Sequence, residues 1–215
     1  SYIILSYYYI IILYNMNNTE IKYWNNFYSI HKDIEDCSDF CTFVMEFFKN
    51  NNDIVNVLDC GCGNGRDSYA LSNTYNVVGI DSSGFIPVTR NNTNFSANDF
   101  ITFDKRNYDL IYSRFTLHSI TDEQQLSFLQ SINNNSYLVI ETRSLKGEND
   151  NVVHGKTHYR NYTDLTYLKK ILTDNNFQII FANEDIDMAK YKNENPICIR
   201  VICKKKAVYK YSVGI

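Results

Sequence analysis

The feature that most constrains the fold of this chain is a glycine-rich segment between a short apolar run and a helical pattern. Val55 to Cys60 has the composition of a buried strand, and the residues from about Arg66 to Asn73 have helical spacing. Glycines at positions 61, 63 and 65 fill the connection. Glycine adopts positive φ readily and lets a backbone approach a ligand closely. The segment therefore predicts a ligand site at the carboxyl end of a strand, where open α/β sheets bind their ligands.

The rest of the chain alternates short apolar runs with helical patterns. This alternation predicts right-handed βαβ units and an α/β fold, doubly wound, with a mainly parallel seven-stranded sheet and helices on both faces. Two strands follow the last helix directly, which predicts a closing hairpin with a final antiparallel strand. The expected strands are 55–60, 75–80, 95–97, 108–113, 137–142, 177–182 and 197–203. The expected helices are 66–73, 85–90, 122–132 and 163–173, with a further helical region over 20–48.

The start of the chain differs from the rest. Residues 1–13 are apolar and aromatic, too short to span a membrane as a helix, and without the basic start and cleavage site of a secretory signal. We expect residues 1–15 to be an extension outside the natural protein; a membrane-associating or partner-binding segment is the alternative. The domain prediction is a single domain over 16–206, opened by a helical lid over 16–50 and followed by a tail over 207–215.

Composition and net charge limit the kinds of partner that the chain is expected to bind. A chain of 215 residues with 44% hydrophobic residues suits one soluble domain. The net charge of -3 provides no general attraction to nucleic acid or to an anionic membrane. The six cysteines include no Cys-x-x-Cys pair, which argues against a metal site and favours free thiols in the cytoplasm. We expect a cytoplasmic protein without a membrane span or a nucleic-acid partner, and the oligomeric state stays open.

The spacing of the glycines separates two kinds of cofactor. A dinucleotide loop reads G-x-G-x-x-G, with its third glycine beneath a pyrophosphate. Here Gly65 comes one residue early, and Arg66 occupies the position of that glycine. The pattern D-x-G-x-G-x-G resembles motif I of the class I S-adenosylmethionine-dependent methyltransferases. The resemblance implies S-adenosyl-L-methionine as cofactor, bound through Asp59, Gly61, Gly63 and Gly65.

The resemblance extends to the ends of the next strands. Asp81 ends the second strand, where the family carries an acidic residue bonded to both ribose hydroxyls. A carboxylate can accept two hydrogen bonds from a vicinal diol, although Asp81 could instead cap the following turn. The resemblance also places adenine after the third strand and the methionine part at the end of the fourth. The further cofactor-binding residues that it implies are Ser82, Asn98, Asp99, Phe100 and Ser113.

Two more cofactor contacts are expected around this loop. A cation at a helix N-terminus opposes the macrodipole, so Arg66 either meets the carboxylate of methionine or pairs with Asp67. The segment from Tyr23 to Tyr28 is similar to the opening of many bacterial small-molecule methyltransferases, in which an N-terminal helix covers the cofactor. That similarity implies a cofactor contact for Trp24.

Two histidines are the catalytic candidates. A methyl acceptor must be held in line with the methyl group, and a base helps where the acceptor is a hydroxyl. His118 lies just past the fourth strand. It could act as a general base, position the acceptor, or serve only the structure of the loop. His158 lies with Tyr159 and Arg160 in a polar loop, where the three could recognise a polyol or an acid, or simply end the loop.

The end of the fifth strand supplies the remaining acceptor candidates. Glu141 and Arg143 are expected to point to the same crevice, where they touch the acceptor or pair with each other. The chain lacks the Asn/Asp-Pro-Pro-aromatic string of enzymes that methylate adenine N6 or glutamine. Its motifs resemble enzymes of surface-polysaccharide pathways, which implies O-methylation of a sugar, a glycan precursor or another small hydroxyl compound. The alternatives are a protein, RNA or oxyanion acceptor, a non-catalytic binding protein, and a dinucleotide enzyme.

Overall fold

The structure is a computed structural model that describes residues 21–31, 36–147, 159–191 and 193–207. The helices are α1 (21–30), α2 (Asp39–Phe48), α3 (Arg66–Leu71), α4 (Asp122–Ser131) and α5 (Leu165–Asp174). The strands are β1 (Asn56–Cys60), β2 (Asn76–Asp81), β3 (Thr93–Ala97), β4 (Leu110–Arg114), β5 (Tyr137–Arg143), β6 (Phe177–Asp185) and β7 (Cys198–Lys205). The predicted extension over 1–15, residue His158 and the tail beyond residue 207 lie outside the described residues. The predicted domain boundaries stay predictions.

The strands form one sheet in the order β3-β2-β1-β4-β5-β7-β6. The first five strands pair in parallel, whereas β7 runs antiparallel to both β5 and β6. The predicted doubly wound, mainly parallel α/β fold with a final antiparallel strand is therefore confirmed. The direction of winding reverses between β1 and β4, which places a crevice at the carboxyl ends of these two strands.

Apolar side chains cover both faces of the sheet. Along β1, Leu58 belongs to one buried cluster and Val57 to the other, and Ile111 and Tyr112 of β4 divide in the same way. Successive side chains of a strand point to opposite faces, so each strand contributes to both clusters. Helices α4 and α5 complete the first cluster and α2 completes the second. Burial on both faces is what a parallel sheet requires.

Side chains cap the helices that flank the site. The Ser38 hydroxyl accepts from the backbone N–H of Cys41 at 3.1 Å and begins α2. Thr121 and Gln124 form a capping box at the start of α4, because each side chain bonds to the backbone N–H of the other. Each cap satisfies backbone donors that the helix itself leaves without a partner. No helix in the described parts of the chain is long and apolar enough to cross a bilayer.

Two expectations about helices are wrong. Residues 85–90 are not helical: Pro87 disfavours helical backbone at the residue before it, and Ile86 and Val88 on either side are exposed. The Tyr69 hydroxyl donates to the carbonyl of Val88 at 2.6 Å and ties this segment to α3. The helical region over 20–48 is also interrupted, because the first helix ends at residue 30 and the next begins after the Ser38 cap.

Candidate functional site

A cavity of about 530 Å³ opens at the carboxyl ends of β1, β2 and β4. Its walls are the glycine-rich loop, helix α1, the turn after β4 and the segment that precedes β7. We call the side formed by Asp59, residues 61–64, Asp67 and Asp81 the glycine-loop half. The side formed by Phe115, Arg143, Arg160 and Glu194 is called the arginine half. The two halves are continuous within one cavity.

The glycine loop has the conformation that its sequence predicts. Gly61, Gly63 and Gly65 have φ values of 73°, 54° and 82°, a region that other residues rarely adopt. The backbone N–H groups of Gly61 and Cys62 both donate to the carbonyl of Ile80, at 2.7 and 3.1 Å. A Cβ at Gly61 would overlap the Thr116 side chain. Only glycine therefore lets this backbone lie against the cavity wall.

The three glycines do not face the same surroundings. A Cβ at Gly63 would lie 2.6 Å from the ring of Tyr28, on the cavity side of the loop. A Cβ at Gly65 would instead lie 3.0 Å from the ring of Phe95, on β3, and 3.2 Å from Pro87. Gly65 is therefore needed for packing between the loop and its neighbours, and it does not line the cavity. Its role as a cofactor contact stays a prediction.

Asp81 is held at the end of β2 with its carboxylate at the cavity. One oxygen accepts from the backbone N–H of Gly63 at 3.0 Å, and the other accepts from that of Ser83 at 2.8 Å. Each carboxylate oxygen can accept a second hydrogen bond, so this orientation is compatible with a diol ligand. The bond to Ser83 is also the turn cap considered from the sequence. The two interpretations are therefore not exclusive, and Ser82 lines the cavity beside it.

Asp59, at the end of β1, is a buried carboxyl at the bottom of the cavity. It accepts a hydrogen bond from the Ser68 hydroxyl of α3 at 2.5 Å. Burial raises the pKa of Asp59 to about 7, with the Ser68 hydrogen bond acting in the opposite direction. The nearby carboxylates of Asp67 and Asp81 raise this pKa further. The glycine-loop half therefore concentrates carboxyl groups in a small volume.

A buried hydrogen-bond cluster around Asp67 was not predicted from the sequence. The carboxylate accepts from the backbone N–H and hydroxyl of Ser38, both at 2.7 Å, and from the hydroxyl of Tyr112 at 2.8 Å. These bonds join the start of α2 to α3 and to β4. Arg66 lies 3.7 Å from the same carboxylate and also lines the cavity. The predicted Arg66–Asp67 pair is present, and a contact of Arg66 with a ligand carboxylate stays a proposal.

Helix α1 covers the glycine-loop half with aromatic side chains. Trp24 lines the cavity and stacks on Tyr28 with ring centroids 5.9 Å apart. The Tyr28 ring in turn lies against Gly63. Burial, and then the charge of Asp81, raise the pKa of Tyr28 well above its usual value. Sequence reasoning named Trp24 and missed Tyr28, because no pattern within a helix indicates which loop a ring will cover.

The residues expected at adenine divide into two groups. Asn98 and Asp99 are exposed and do not line the cavity, and Asp99 accepts from the backbone N–H of Ile101 at 2.8 Å. Phe100 lines the cavity and packs edge-to-face on Phe128, with centroids 5.5 Å apart. Asp99 thus caps a turn that presents Phe100. We keep Phe100 as the candidate adenine contact.

Ser113 and His118 flank the turn after β4, but only one of them lines the cavity. The Ser113 hydroxyl is fully buried, bonds to the Thr116 hydroxyl and does not line the cavity. His118 lies in the short turn Leu117–Ser119 and does line the cavity, although it is mostly buried. Its backbone carbonyl accepts from the N–H of Asn161 at 2.7 Å, which anchors the turn.

Glu141 and Arg143 do not pair with each other. Glu141 is fully buried between Arg114, at 2.9 Å, and Arg200, at 2.7 Å. Arg114 and Arg200 lie directly opposite Glu141 on the two neighbouring strands. Residues that lie opposite each other on paired strands have side chains in contact. Arg143 instead pairs with Glu194 at 3.0 Å. Glu141 is therefore a structural carboxylate outside the cavity lining, and an acceptor contact through it is not retained.

The arginine half is organised around Phe115. Phe115 has a φ of 57°, a strained value for a residue with a side chain, and this turns its ring into the cavity. The guanidinium carbons of Arg114 and Arg143 lie 4.5 and 5.7 Å from its ring centroid. Burial, followed by the charge of Arg143, lowers the pKa of Arg160. Tyr159 precedes Arg160 in the chain but does not line the cavity.

Comparison with known proteins gives one family match. A model of the methyltransferase domain matches residues 30–181, which is more than half of the chain. No curated protein sequence is significantly similar to the chain. Among the described residues, no three His, Cys, Asp or Glu side chains are grouped to hold a metal ion.

Several solved structures have a similar fold at low sequence identity. A 1,6-didemethyltoxoflavin-N1-methyltransferase from Burkholderia thailandensis, bound to 1,6-didemethyltoxoflavin and S-adenosylhomocysteine, is 14% identical. The match covers 94% of this chain and 90% of that one, with a TM-score of 0.67. An S-adenosylmethionine-dependent methyltransferase from Clostridium acetobutylicum is 15% identical over 85% and 97%, with a TM-score of 0.58. Magnesium protoporphyrin IX methyltransferase from Synechocystis, bound to S-adenosylmethionine, is 15% identical over 75% and 77%, with a TM-score of 0.54.

Proposed function

This chain belongs to the methyltransferase domain family, with a class I fold and S-adenosylmethionine as its cofactor, and we propose that it methylates a hydroxyl group of a small molecule. Sugars and glycan precursors are the first acceptors to test. The observation that carries the proposal is that His118 lines the same cavity as Asp81 and the glycine loop. A base and a cofactor site in one cavity are what O-methylation needs.

The residues of the glycine-loop half fit this cofactor. Gly61 and Gly63 bring backbone without side chains to the cavity wall, and Asp81 presents two oriented oxygens to a ribose diol. Phe100 offers an apolar surface for adenine, and Trp24 covers the site from α1. Arg66 is the candidate partner of the methionine carboxylate. These assignments are proposals for the binding experiments below.

The proposed chemistry divides the work between cofactor and protein. S-adenosylmethionine supplies a methyl group that is already activated by the positive charge on sulfur. The protein holds an acceptor oxygen in line with that methyl carbon, which can contribute about 7–11 kcal/mol. As the acceptor oxygen formed its bond to the methyl carbon, the bond from that carbon to sulfur would break and S-adenosylhomocysteine would leave. The proton of the acceptor hydroxyl would pass to an imidazole nitrogen of His118. The buried position of His118 keeps bulk water away from this transfer.

Two further observations support a small acceptor. The cavity is lined partly by α1 and partly by the segment before β7, and its volume of about 530 Å³ is in the range of small-molecule sites. Two solved structures of similar fold carry names of enzymes that act on small organic molecules, a toxoflavin precursor and magnesium protoporphyrin IX.

The six free cysteines support the proposed cytoplasmic location.

The direct test is the identity of the methylated atom. The full chain is incubated with S-adenosylmethionine carrying a carbon-13 methyl group and a panel of sugars, uronic acids and phenols, each with an amine analogue. The expected product gives the carbon-13 shift of an O-methyl group. Products with only N-methyl or S-methyl groups would contradict the proposal.

Replacing the candidate base gives the first prediction. We expect His118→Gln to lower kcat by about 10²–10⁴-fold, the usual contribution of a positioned base. In the native enzyme, kcat/KM should fall toward acid pH, since only a neutral imidazole accepts a proton. That dependence should disappear in the variant. Its affinity for S-adenosylhomocysteine, measured by calorimetry, should be unchanged; an unchanged kcat would refute the role.

A further inference from the structure

Two lysines in the described part of the chain are buried, although an ammonium group is normally found in water. Lys105 is 1% exposed and Lys205 is 8% exposed. Burial lowers the pKa of each of the two ammonium groups. Burying a charge costs free energy unless hydrogen bonds compensate it. A buried lysine is therefore expected to provide contacts that an apolar side chain of the same length could not provide.

Lys105 holds the turn that follows β3. Its Nζ donates to the backbone carbonyls of Ile101 and Phe103, at 3.2 and 2.9 Å. Asp99 closes the same turn: its backbone carbonyl accepts from the N–H of Phe103 at 3.0 Å, and its carboxylate accepts from the N–H of Ile101 at 2.8 Å. Phe100 lies within this turn. Its position therefore depends on hydrogen bonds, two of which come from the ammonium group.

A second contact connects Lys105 to Phe100. The Nζ of Lys105 lies 5.3 Å from the ring centroid of Phe128 on α4, and a cation near the face of an aromatic ring is attracted to it. Phe128 is fully buried and packs edge-to-face on Phe100, with ring centroids 5.5 Å apart. The ammonium group thus contacts both the turn that carries Phe100 and the ring against which Phe100 packs.

Lys205 makes the same kinds of contact at a different place. Its Nζ donates to the carbonyls of Leu129 and Gln130, at 2.8 and 3.3 Å, and lies 5.1 Å from the ring centroid of Phe177. The two carbonyls belong to the last turn of α4, where backbone acceptors have no partner within the helix. None of these four residues lines the cavity. Lys205 therefore stabilises a helix end, whereas Lys105 stabilises a turn that reaches the cavity through Phe100.

We propose that Lys105 is a positioning residue for the cofactor, whose ammonium group holds Phe100 at the cavity wall where that ring contacts adenine. This inference rests on the proposed function, in which Phe100 is the adenine contact. Lys105 itself is outside the cavity lining, so it acts through Phe100 and does not touch the cofactor. Loss of the ammonium group lets the turn rearrange, which lowers the affinity for ligands that contain adenine.

The affinity of the full chain for S-adenosylhomocysteine, measured by calorimetry, tests the inference without any acceptor. Phe100→Ala should weaken this ligand about tenfold, the order expected when a base loses an aromatic contact. Lys105→Met keeps the length of the side chain and removes its donors, and should weaken the ligand by about the same factor. The double variant should also be about tenfold weaker, because both changes remove one contact, whereas independent effects would multiply to about 100-fold.

Lys205→Met is the matched control, because it removes the same group from a similarly buried position outside the cavity lining. It should lower the melting temperature and leave the affinity for S-adenosylhomocysteine unchanged at temperatures where the chain is folded. Equal weakening by Lys105→Met and Lys205→Met would show a general loss of structure and would overturn the inference. A loss of about 100-fold in the double variant would overturn it as well, because Lys105 would then act independently of Phe100.

A second substitution keeps the test informative if Lys105→Met does not fold. Lys105→Gln retains an amide N–H donor on a shorter side chain, so it should bind S-adenosylhomocysteine more weakly than the native chain and more tightly than Lys105→Met. It replaces Lys105→Met in the double variant with Phe100→Ala, where it should cause no further loss. Native affinity in Lys105→Gln would count against the inference.

The outcomes separate this inference from the proposed function. A loss of affinity in Phe100→Ala with native affinity in Lys105→Met supports the adenine contact and overturns the inference alone. Native affinity in Phe100→Ala contradicts the adenine contact, and the inference fails with it. A product with only N-methyl groups contradicts O-methylation and leaves the inference standing, because the affinity for S-adenosylhomocysteine does not depend on the acceptor atom.

Discussion

The two halves of the cavity present different charged groups although they share one space. Carboxyl groups of Asp59, Asp67 and Asp81 lie in the glycine-loop half, where Arg66 pairs with Asp67. Guanidinium groups of Arg143 and Arg160 lie in the other half, beside Glu194. S-adenosylmethionine carries a sulfonium and an ammonium group against a single carboxylate, so its net positive charge suits the half that is rich in carboxyl groups. The difference teaches that the two ends of one cavity suit different chemical groups.

The two halves also differ in how their side chains are fixed. In the glycine-loop half, carboxylates are held by backbone N–H groups and hydroxyls that come from the same or adjacent elements. In the arginine half, the guanidinium groups are held by Glu194 and by the ring of Phe115. Substitutions in one half should therefore change the affinity for one ligand and leave the other unchanged. Three predictions test how the side chains of the glycine-loop half are fixed, beginning with ligand affinity and ending with stability.

The largest effect should come from Asp81. We expect Asp81→Ala to weaken the binding of S-adenosylhomocysteine about 10²–10⁴-fold, since two hydrogen bonds to a charged group contribute about 1.5–3 kcal/mol each. Titration calorimetry gives the affinity. Asp99→Ala is the matched control, because Asp99 is exposed and outside the cavity lining, and it should bind the ligand normally. A greater loss in the Asp99 variant than in the Asp81 variant would reverse the assignment.

A smaller effect should follow from Gly63. Gly63→Ala places a methyl group against the Tyr28 ring and keeps a φ of 54°, which costs about 1–2 kcal/mol for the backbone alone. The melting temperature should fall by roughly 2–4 °C for each kcal/mol. Adding Tyr28→Ala should restore the part of the loss that comes from the overlap. Strictly additive losses in this double-mutant cycle would show that Tyr28 does not cover the loop.

The last prediction concerns the pH dependence of stability. The pKa of Asp59 is about 7 in the folded chain against 3.8 ordinarily, so the unfolded state releases this proton more readily. Its contribution to the free energy of unfolding is complete below about pH 3.8 and is lost as pH rises to about 7. Asn cannot ionise and can still accept from Ser68.

The Asp59→Asn variant should therefore gain stability relative to the native chain as pH rises from about 4 to about 7. Denaturant titrations at several pH values measure this difference. Asp53→Asn, an exposed change outside the cavity, is the control and should give a difference that does not vary with pH in this way. A difference that is constant across the window would mean that Asp59 ionises normally.

The features that could be predicted from the sequence depend on residues of a single helix, strand or turn. The glycine spacing and Asp81 follow directly from strand-loop-helix order, and the apolar alternation predicts the sheet. The short segment over 85–90 was misassigned because six residues carry little helical signal and Pro87 opposes it. Asp99 was expected in the site because it follows a strand, yet its side chain turns back to Ile101.

The features that the sequence did not predict depend on partners far apart in the chain. Ser38 meets Asp67 across 29 positions, and Tyr112 meets the same carboxylate across 45. Glu141 has two arginine neighbours through strand pairing, and this register is set by the whole sheet. Contacts between residues so far apart in the chain produce no recognisable spacing in the local sequence. For the same reason the packing of Tyr28 against Gly63 appears only in three dimensions.

Helix α1 touches both halves of the cavity, with Tyr28 against Gly63 and Tyr23 near Arg160. Because one helix contacts both halves, a ligand that changes its position in one half also changes the wall of the other. The two ligands are then thermodynamically linked: if bound cofactor raises the affinity for the acceptor by some factor, bound acceptor raises the affinity for the cofactor by the same factor.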